Sequence, residues 1–121
     1  MILNSIDNLR LPVYGDGLQV RDWIHVDDHC NAIEMIFNKS KAGKVYNIGG
    51  KNELSNTSAV DIIHKILTKY KPVKKDIKFI DDRYGHDRRY SLEIKKLQNE
   101  LGWSPKIKFE NGIEKLINSM I

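Results

Sequence analysis

The sequence predicts a mixed α/β chain. Three observations carry that expectation: short β-rich runs such as Leu11-Pro12-Val13-Tyr14 and Ile77-Lys78-Phe79-Ile80, apolar residues at helical spacing such as Val60, Ile63, Ile66, Leu67 and Tyr70, and Gly or Pro punctuation between the two kinds. The 121 residues suit one domain, read here as a single unit over 1–121. With 40% hydrophobic and 30% charged residues and only 3 Pro, the composition excludes disordered, collagen-like and low-complexity classes.

The elements follow in order. Met1 to Leu9 reads as the tail of a helix, with Ile2, Leu3, Ile6 and Leu9 apolar and no cap before them. Leu11 to Tyr14 is a short strand stopped by Gly15-Asp16-Gly17, and Val20 to Val26 is a second strand, expected to form a hairpin with the first. Asp27 or Asp28 is expected to cap a helix running to about Lys39, with Ala32, Ile33, Ile36 and Phe37 on its inner face. Lys44 to Ile48 reads as a strand ending on Gly49-Gly50. The clearest helix carries the Val60-to-Tyr70 stripe, with Ser58 and Asp61 as a capping box and Pro72 beyond its end. Ile77 to Ile80 is a strand. A helix from about Ser91 buries Ile94, Leu97 and Leu101 and stops at Gly102. Phe109 opens a last helix, with Ile113, Leu116, Ile117 and Met120 facing inward.

The net charge of +4 suits nucleic acid or a phosphorylated small molecule, although the lysines are scattered among acids as on an ordinary solvated surface. Cys30 is the only cysteine, which excludes an intrachain disulfide and a zinc site built on several cysteines. Neither a signal-peptide pattern at the start nor an apolar run of the ~20 residues a membrane span needs is present, so a reducing, cytoplasmic location is expected without a membrane partner.

Chemistry concentrates in two places. In Arg21-Asp22-Trp23 a strand puts Arg21 and Trp23 on one face and Asp22 on the other; Arg21 serves either phosphate recognition or a surface ion pair. In Asp82-Arg83-Tyr84-Gly85-His86-Asp87-Arg88-Arg89-Tyr90, three arginines, a histidine and two tyrosines share one loop. They suit a diphosphate and a base, or simply solvent. Asn56 serves as a helix cap, a turn residue or a ligand donor. His25 and His29 are four apart, but a strand-to-helix switch between them would take them off a shared face, so no metal is assigned. Tyr70 and Lys74 match Tyr-x-x-x-Lys, yet Pro72 between them disrupts the helix that would align them. Gly15-Asp16-Gly17 and Gly49-Gly50 do not continue as Gly-x-Gly-x-x-Gly at a helix start. No catalytic residue is assigned.

Taken together, Leu11 to Gly17, Arg21-Asp22-Trp23, Tyr46-Asn47-Ile48-Gly49-Gly50, Asn52-Glu53 with Asn56, Asp82 to Tyr90 and Leu101-Gly102-Trp103-Ser104-Pro105 closely resemble the C-terminal part of the dTDP-glucose 4,6-dehydratases, lyases of the extended short-chain dehydrogenase/reductase family. The resemblance implies the substrate-binding part of such an enzyme without its N-terminal Rossmann core, inactive alone, with a separate Rossmann chain as a possible partner. The full-length family uses NAD, binds a dTDP-sugar, forms homodimers and makes a rhamnose precursor. By motif match, Leu11, Pro12 and Val13 line the nucleotide pocket, Tyr14 stacks near thymine, Arg21 and Arg83 grip the diphosphate, and Asn56 bonds the nucleotide. Asp82, Arg83, Tyr84, Gly85 and His86 complete the wall. The chain departs at Tyr84, where the family carries Pro, which implies a less pre-organised loop. A related epimerase or dehydratase of another sugar nucleotide, and a small basic nucleic-acid-binding module, are the alternatives.

Overall fold

The computed structural model describes all residues, 1–121. Five helices and five short strands give the expected mixed α/β class, although the strands at Glu53–Ser55 and Arg89–Tyr90 are not among those the sequence predicts. The strands β1 (Leu11–Tyr14) and β4 (Ile77–Ile80) fall where alternation and turn residues place them. Their partnership differs from the expected hairpin. β1 pairs in parallel with β4, Leu11 opposite Ile77 and Tyr14 opposite Ile80. The turn at Gly15–Leu18 carries the chain away from β1, so β2 (Val20–Asp22) joins a separate sheet between β3 (Glu53–Ser55, antiparallel) and the two-residue β5 (Arg89–Tyr90, parallel).

Helix α3 (Asn56–Leu67) is the axis of the core. Ile63, Ile66 and Leu67 pack with Ile2 of α1 (Ile2–Ile6) and Ile117 of α5 (Phe109–Asn118), and Leu11 and Val13 of β1 lie against Val60. The helix begins three residues before the expected capping box: Ser55 is the N-cap, its Oγ accepting from the Ser58 amide at 3.1 Å, and Asn56 is the first helical residue instead of a cap. Leu116 and Met120, expected inward, remain exposed.

A second cluster joins Ala32 of α2 (Val26–Lys39) to Ile94, to Leu97 of α4 (Lys95–Leu101) and to Trp103. Gly102 ends α4 in the left-handed region, as expected from sequence. The expected cap of α2 does not hold. His25 takes that position, Nδ1 accepting from the Asp27 amide at 3.2 Å, while buried Asp28 accepts from the amides of Lys106 and Ile107 at 3.0 and 2.8 Å. That anchor turns Asp28 and Ala32 inward, and leaves Ile33 and Phe37, with Val26, as an exposed stripe. Lys44–Ile48, expected as a strand, pairs with no neighbouring strand and forms none; Tyr46 and Ile48 still pack on the α2–α4 cluster.

Candidate nucleotide-binding site

All the predicted residues but Leu11 and Asp82 line one of two clefts, and Tyr14 of the first packs against Arg83 and His86 of the second; Asp82 stands behind the second and bonds His86. The first, about 600 Å³, is apolar and includes Pro12, Val13, Tyr14, Asn56 and Trp23 among its walls. Strand alternation on β1 explains it: Pro12 and Tyr14 face outward, whereas Leu11 and Val13 are buried. Val13 still reaches the cleft wall, but Leu11 is packed in the core, 1% exposed, and does not line it. Asn56 lies at the start of α3 on the same cleft.

The second cleft, about 300 Å³, is polar and is walled by Arg21, Arg83, Tyr84, Gly85, His86 and Asp87. Arg21 stands in the middle of the three-stranded sheet, opposite Leu54 on one side and Tyr90 on the other. Its guanidinium donates to the carbonyls of Val20 at 2.7 Å and Asp87 at 2.9 Å. Asp22 points the other way and accepts from the amides of Gly50 and Asn52 at 3.0 and 2.9 Å, which pins the following turn. Arg83 lies over the Tyr14 ring, 4.7 Å from its centroid. His86 meets the same ring edge-on at 6.1 Å. Gly85 makes the turn between Arg83 and His86 at φ +69, and Tyr84 is fully exposed at its tip.

The arginines divide into two kinds. Arg88 pairs with Asp16 at 2.8 Å, and Arg89 forks onto Glu53 with bonds of 3.2 and 2.7 Å. Arg10 pairs with Asp76 at 3.6 Å. Arg21 and Arg83 have no carboxylate against them and face the same cleft. Sequence reasoning singled out the loop but could not separate Arg83 from its two neutralised neighbours. It also missed Asp16, Glu53 and Gln19, which come from distant positions and carry no local signal.

Loop 82–90 is fastened by carboxylates, each held below the usual carboxylate range. For Asp82 the main cause is the hydrogen bond from His86, for Asp16 the Leu18 amide and then Arg88, and for Glu53 the Ser91 hydroxyl and then Arg89. A carboxyl with a lowered folded-state pKa stabilises the fold above its unfolded value, and that contribution is lost as pH falls through the lowered value. Acidification below about pH 4 is therefore expected to release the loop. The amide signals of Val20 and His86, bonded to the Arg88 and Arg83 carbonyls at 2.9 and 3.1 Å, report it by NMR titration. Signals that stay in place until the whole chain unfolds in acid would show that these pairs do not hold the loop.

Gly49 and Gly50 serve the chain's own packing. A Cβ on Gly50 would lie 2.0 Å from the Trp23 carbonyl oxygen, and one on Gly49 2.6 Å from Asp22 Oδ2. Neither of these two glycines is open to a dinucleotide pyrophosphate.

Comparison with known proteins agrees with the motifs. The family model described as GDP-mannose 4,6 dehydratase matches residues 1–116. The dTDP-glucose 4,6-dehydratase of Shigella flexneri is 43% identical over 97% of this chain, and that of Xanthomonas campestris pv. campestris strain B100 is 47% identical over 93%. The crystal structure of dTDP-glucose 4,6-dehydratase from Bacillus anthracis in complex with NAD superposes with a TM-score of 0.86 at 46% identity, covering 97% of this chain and 36% of that one. UDP-glucuronic acid 4-epimerase from Bacillus cereus shares the fold with a TM-score of 0.87 at 26% identity, covering 99% of this chain and 38% of that one. The chain spans about a third of the length of the curated dehydratases it matches. On the match over residues 1–116, the chain belongs to the GDP-mannose 4,6 dehydratase family.

Proposed function

We propose that this chain is the sugar-nucleotide-binding portion of a dTDP-glucose 4,6-dehydratase, and that its ligand is the dTDP moiety of dTDP-glucose. One observation supports the reading above all: two guanidinium groups without carboxylate partners, Arg21 and Arg83, face one small cleft beside an aromatic, apolar one. A diphosphate brings two phosphates to such a pair, and each guanidinium can donate charge-assisted bonds to one of them. The base then lies towards the outward face of β1, where Tyr14 offers its ring and Asn56 an amide. The thymine assignment follows the higher identity to dTDP-glucose dehydratases, 43%, against 26% for the UDP-sugar epimerase.

The whole enzyme of this reading converts dTDP-glucose to dTDP-4-keto-6-deoxyglucose and water, an NAD-dependent lyase reaction in the cytoplasm on the way to a rhamnose precursor. NAD, when bound in the whole enzyme, would accept the hydride from C4 and give it back at C6 after water has left across C5 and C6. In that scheme this chain's residues bind and orient: Arg21 and Arg83 neutralise the diphosphate, and Tyr14 and Asn56 hold the base. No hydride step is assigned to them.

Isothermal titration of the chain with dTDP, UDP and GDP at low salt tests the proposal. Binding of dTDP at least tenfold tighter than of UDP or GDP is expected. Equal affinities would favour an enzyme of another sugar nucleotide. Absence of nucleotide binding together with salt-steep affinity for DNA or RNA would sink the reading in favour of a nucleic-acid module.

A further inference from the structure

We propose that Gln19 is a positioning residue that locks the arginine loop to the nucleotide cleft and holds Arg83 in place through Asp82 and His86. Gln19 is 2% exposed, and its side chain makes one hydrogen bond: Nε2 donates to Asp82 Oδ2 at 2.8 Å. The carboxylate can only accept, which fixes the orientation of the amide. Its Oε1 is buried without a partner. A buried carbonyl left unbonded is costly, and an apolar side chain of similar size would fill the space at lower cost. Gln19 is thus a poor filler, and its one donor goes to the site.

From Asp82 the order passes on. Its Oδ1 accepts from the Arg83 amide at 2.8 Å and from His86 Nδ1 at 2.5 Å. His86 is therefore the Nδ1–H tautomer, and its Nε2 lone pair is free to accept from Arg83 Nη2 at 3.2 Å. That bond holds the guanidinium over Tyr14. In the other direction, the backbone carbonyl of Gln19 accepts from the backbone N–H of Asn56 at 3.1 Å. One residue thereby links the two clefts. A Cβ on Gly15 would come within 2.8 Å of Asp82 Oδ2 and 3.1 Å of Gln19 Nε2, so the bare glycine leaves room for this junction.

The proposal rests on Arg83 as a diphosphate ligand, and its test keeps the two ideas apart. Gln19→Met keeps the volume and removes the donor. It is expected to melt at or above the parent's temperature, to bind dTDP about tenfold more weakly, and to show His86 ring-nitrogen NMR signals shifted from the pure Nδ1–H tautomer to a mixture. The tautomer is read without ligand. If the parent binds no dTDP, the functional reading fails while the tautomer still decides the role of Gln19. An unchanged tautomer in the Met variant overturns the proposal, whatever the affinity does. Should that variant not fold, Gln19→Glu carries the test. Its carboxylate repels Asp82 until the pair shares a proton, so dTDP affinity should rise as pH is lowered from 7 towards about 5. A pH profile parallel to the parent's would overturn the proposal.

Discussion

Arg21→Ala is expected to weaken dTDP binding by about 100-fold while leaving the melting temperature within a few degrees of the parent. The guanidinium is held at the cleft by the Val20 and Asp87 carbonyls, at 2.7 and 2.9 Å, with no carboxylate partner. It enters the complex already oriented and loses little side-chain freedom on binding. Two charge-assisted bonds to a phosphate, weakened by partial exposure, amount to about 2.7 kcal/mol, which is that factor of 100. Arg21→Lys keeps the charge but not the fork, and about a tenfold loss is expected. Arg88→Ala is the control: that side chain faces Asp16 outside the cleft, and with the loop still fastened at Asp82 and Glu53 its removal should cost little affinity. Calorimetry on the three variants checks the series. Equal losses for Arg21→Ala and Arg88→Ala would mean that net charge, and not the cleft, attracts the nucleotide.

The contrast between these arginines shows where the sequence ceased to be informative. Arg83, Arg88 and Arg89 are equivalent as letters in one loop. They differ because Asp16 and Glu53, brought close only by the fold, neutralise two of them and leave the third. Local signals fared well where one stretch of chain decides the outcome. Leu11–Tyr14 and Ile77–Ile80 were legible to the residue, since alternation and turn chemistry act over a few positions. Their parallel pairing was not, because long-range register carries no local signature. The same limit applies to Leu11, read as a pocket residue by motif but turned into the core by its strand. Ile33 and Phe37 sit at sound helical spacing, yet the burial of Asp28 against Lys106 and Ile107 rotates α2 so that another stripe faces inward. Gln19 could not have been found, because its partner Asp82 is 63 residues away.

Gly50→Ala is expected to be the most destabilising single methyl in the chain. The added Cβ would meet three backbone atoms, the Trp23 oxygen and carbon at 2.0 and 2.7 Å and the Ile24 Cα at 2.9 Å. A flexible side chain could swing aside, but here a peptide group must move. That peptide follows Arg21 and Asp22 directly, and the Asp22 carboxylate holds the Gly50 amide at 3.0 Å. The displacement therefore cannot be absorbed by the turn alone. It either breaks the Asp22 bonds or pushes β2 away from β3. Overpacking a tight site of this kind costs about 3 kcal/mol, at the upper end of the usual range, and a chain of this size should melt roughly 10–15 °C lower. Because Arg21 rides on β2, the folded fraction should also bind dTDP more weakly. Gly85→Ala is the informative contrast. Its Cβ would meet nothing within 4 Å, and only the left-handed φ of +69 opposes it. That strain amounts to about 1 kcal/mol and falls on an exposed loop. A calorimetric melt in which Gly85→Ala lowers the transition as far as Gly50→Ala would show that backbone conformation, and not the contact between Gly50 and the Trp23 carbonyl, sets the tolerance of this fold for added side chains.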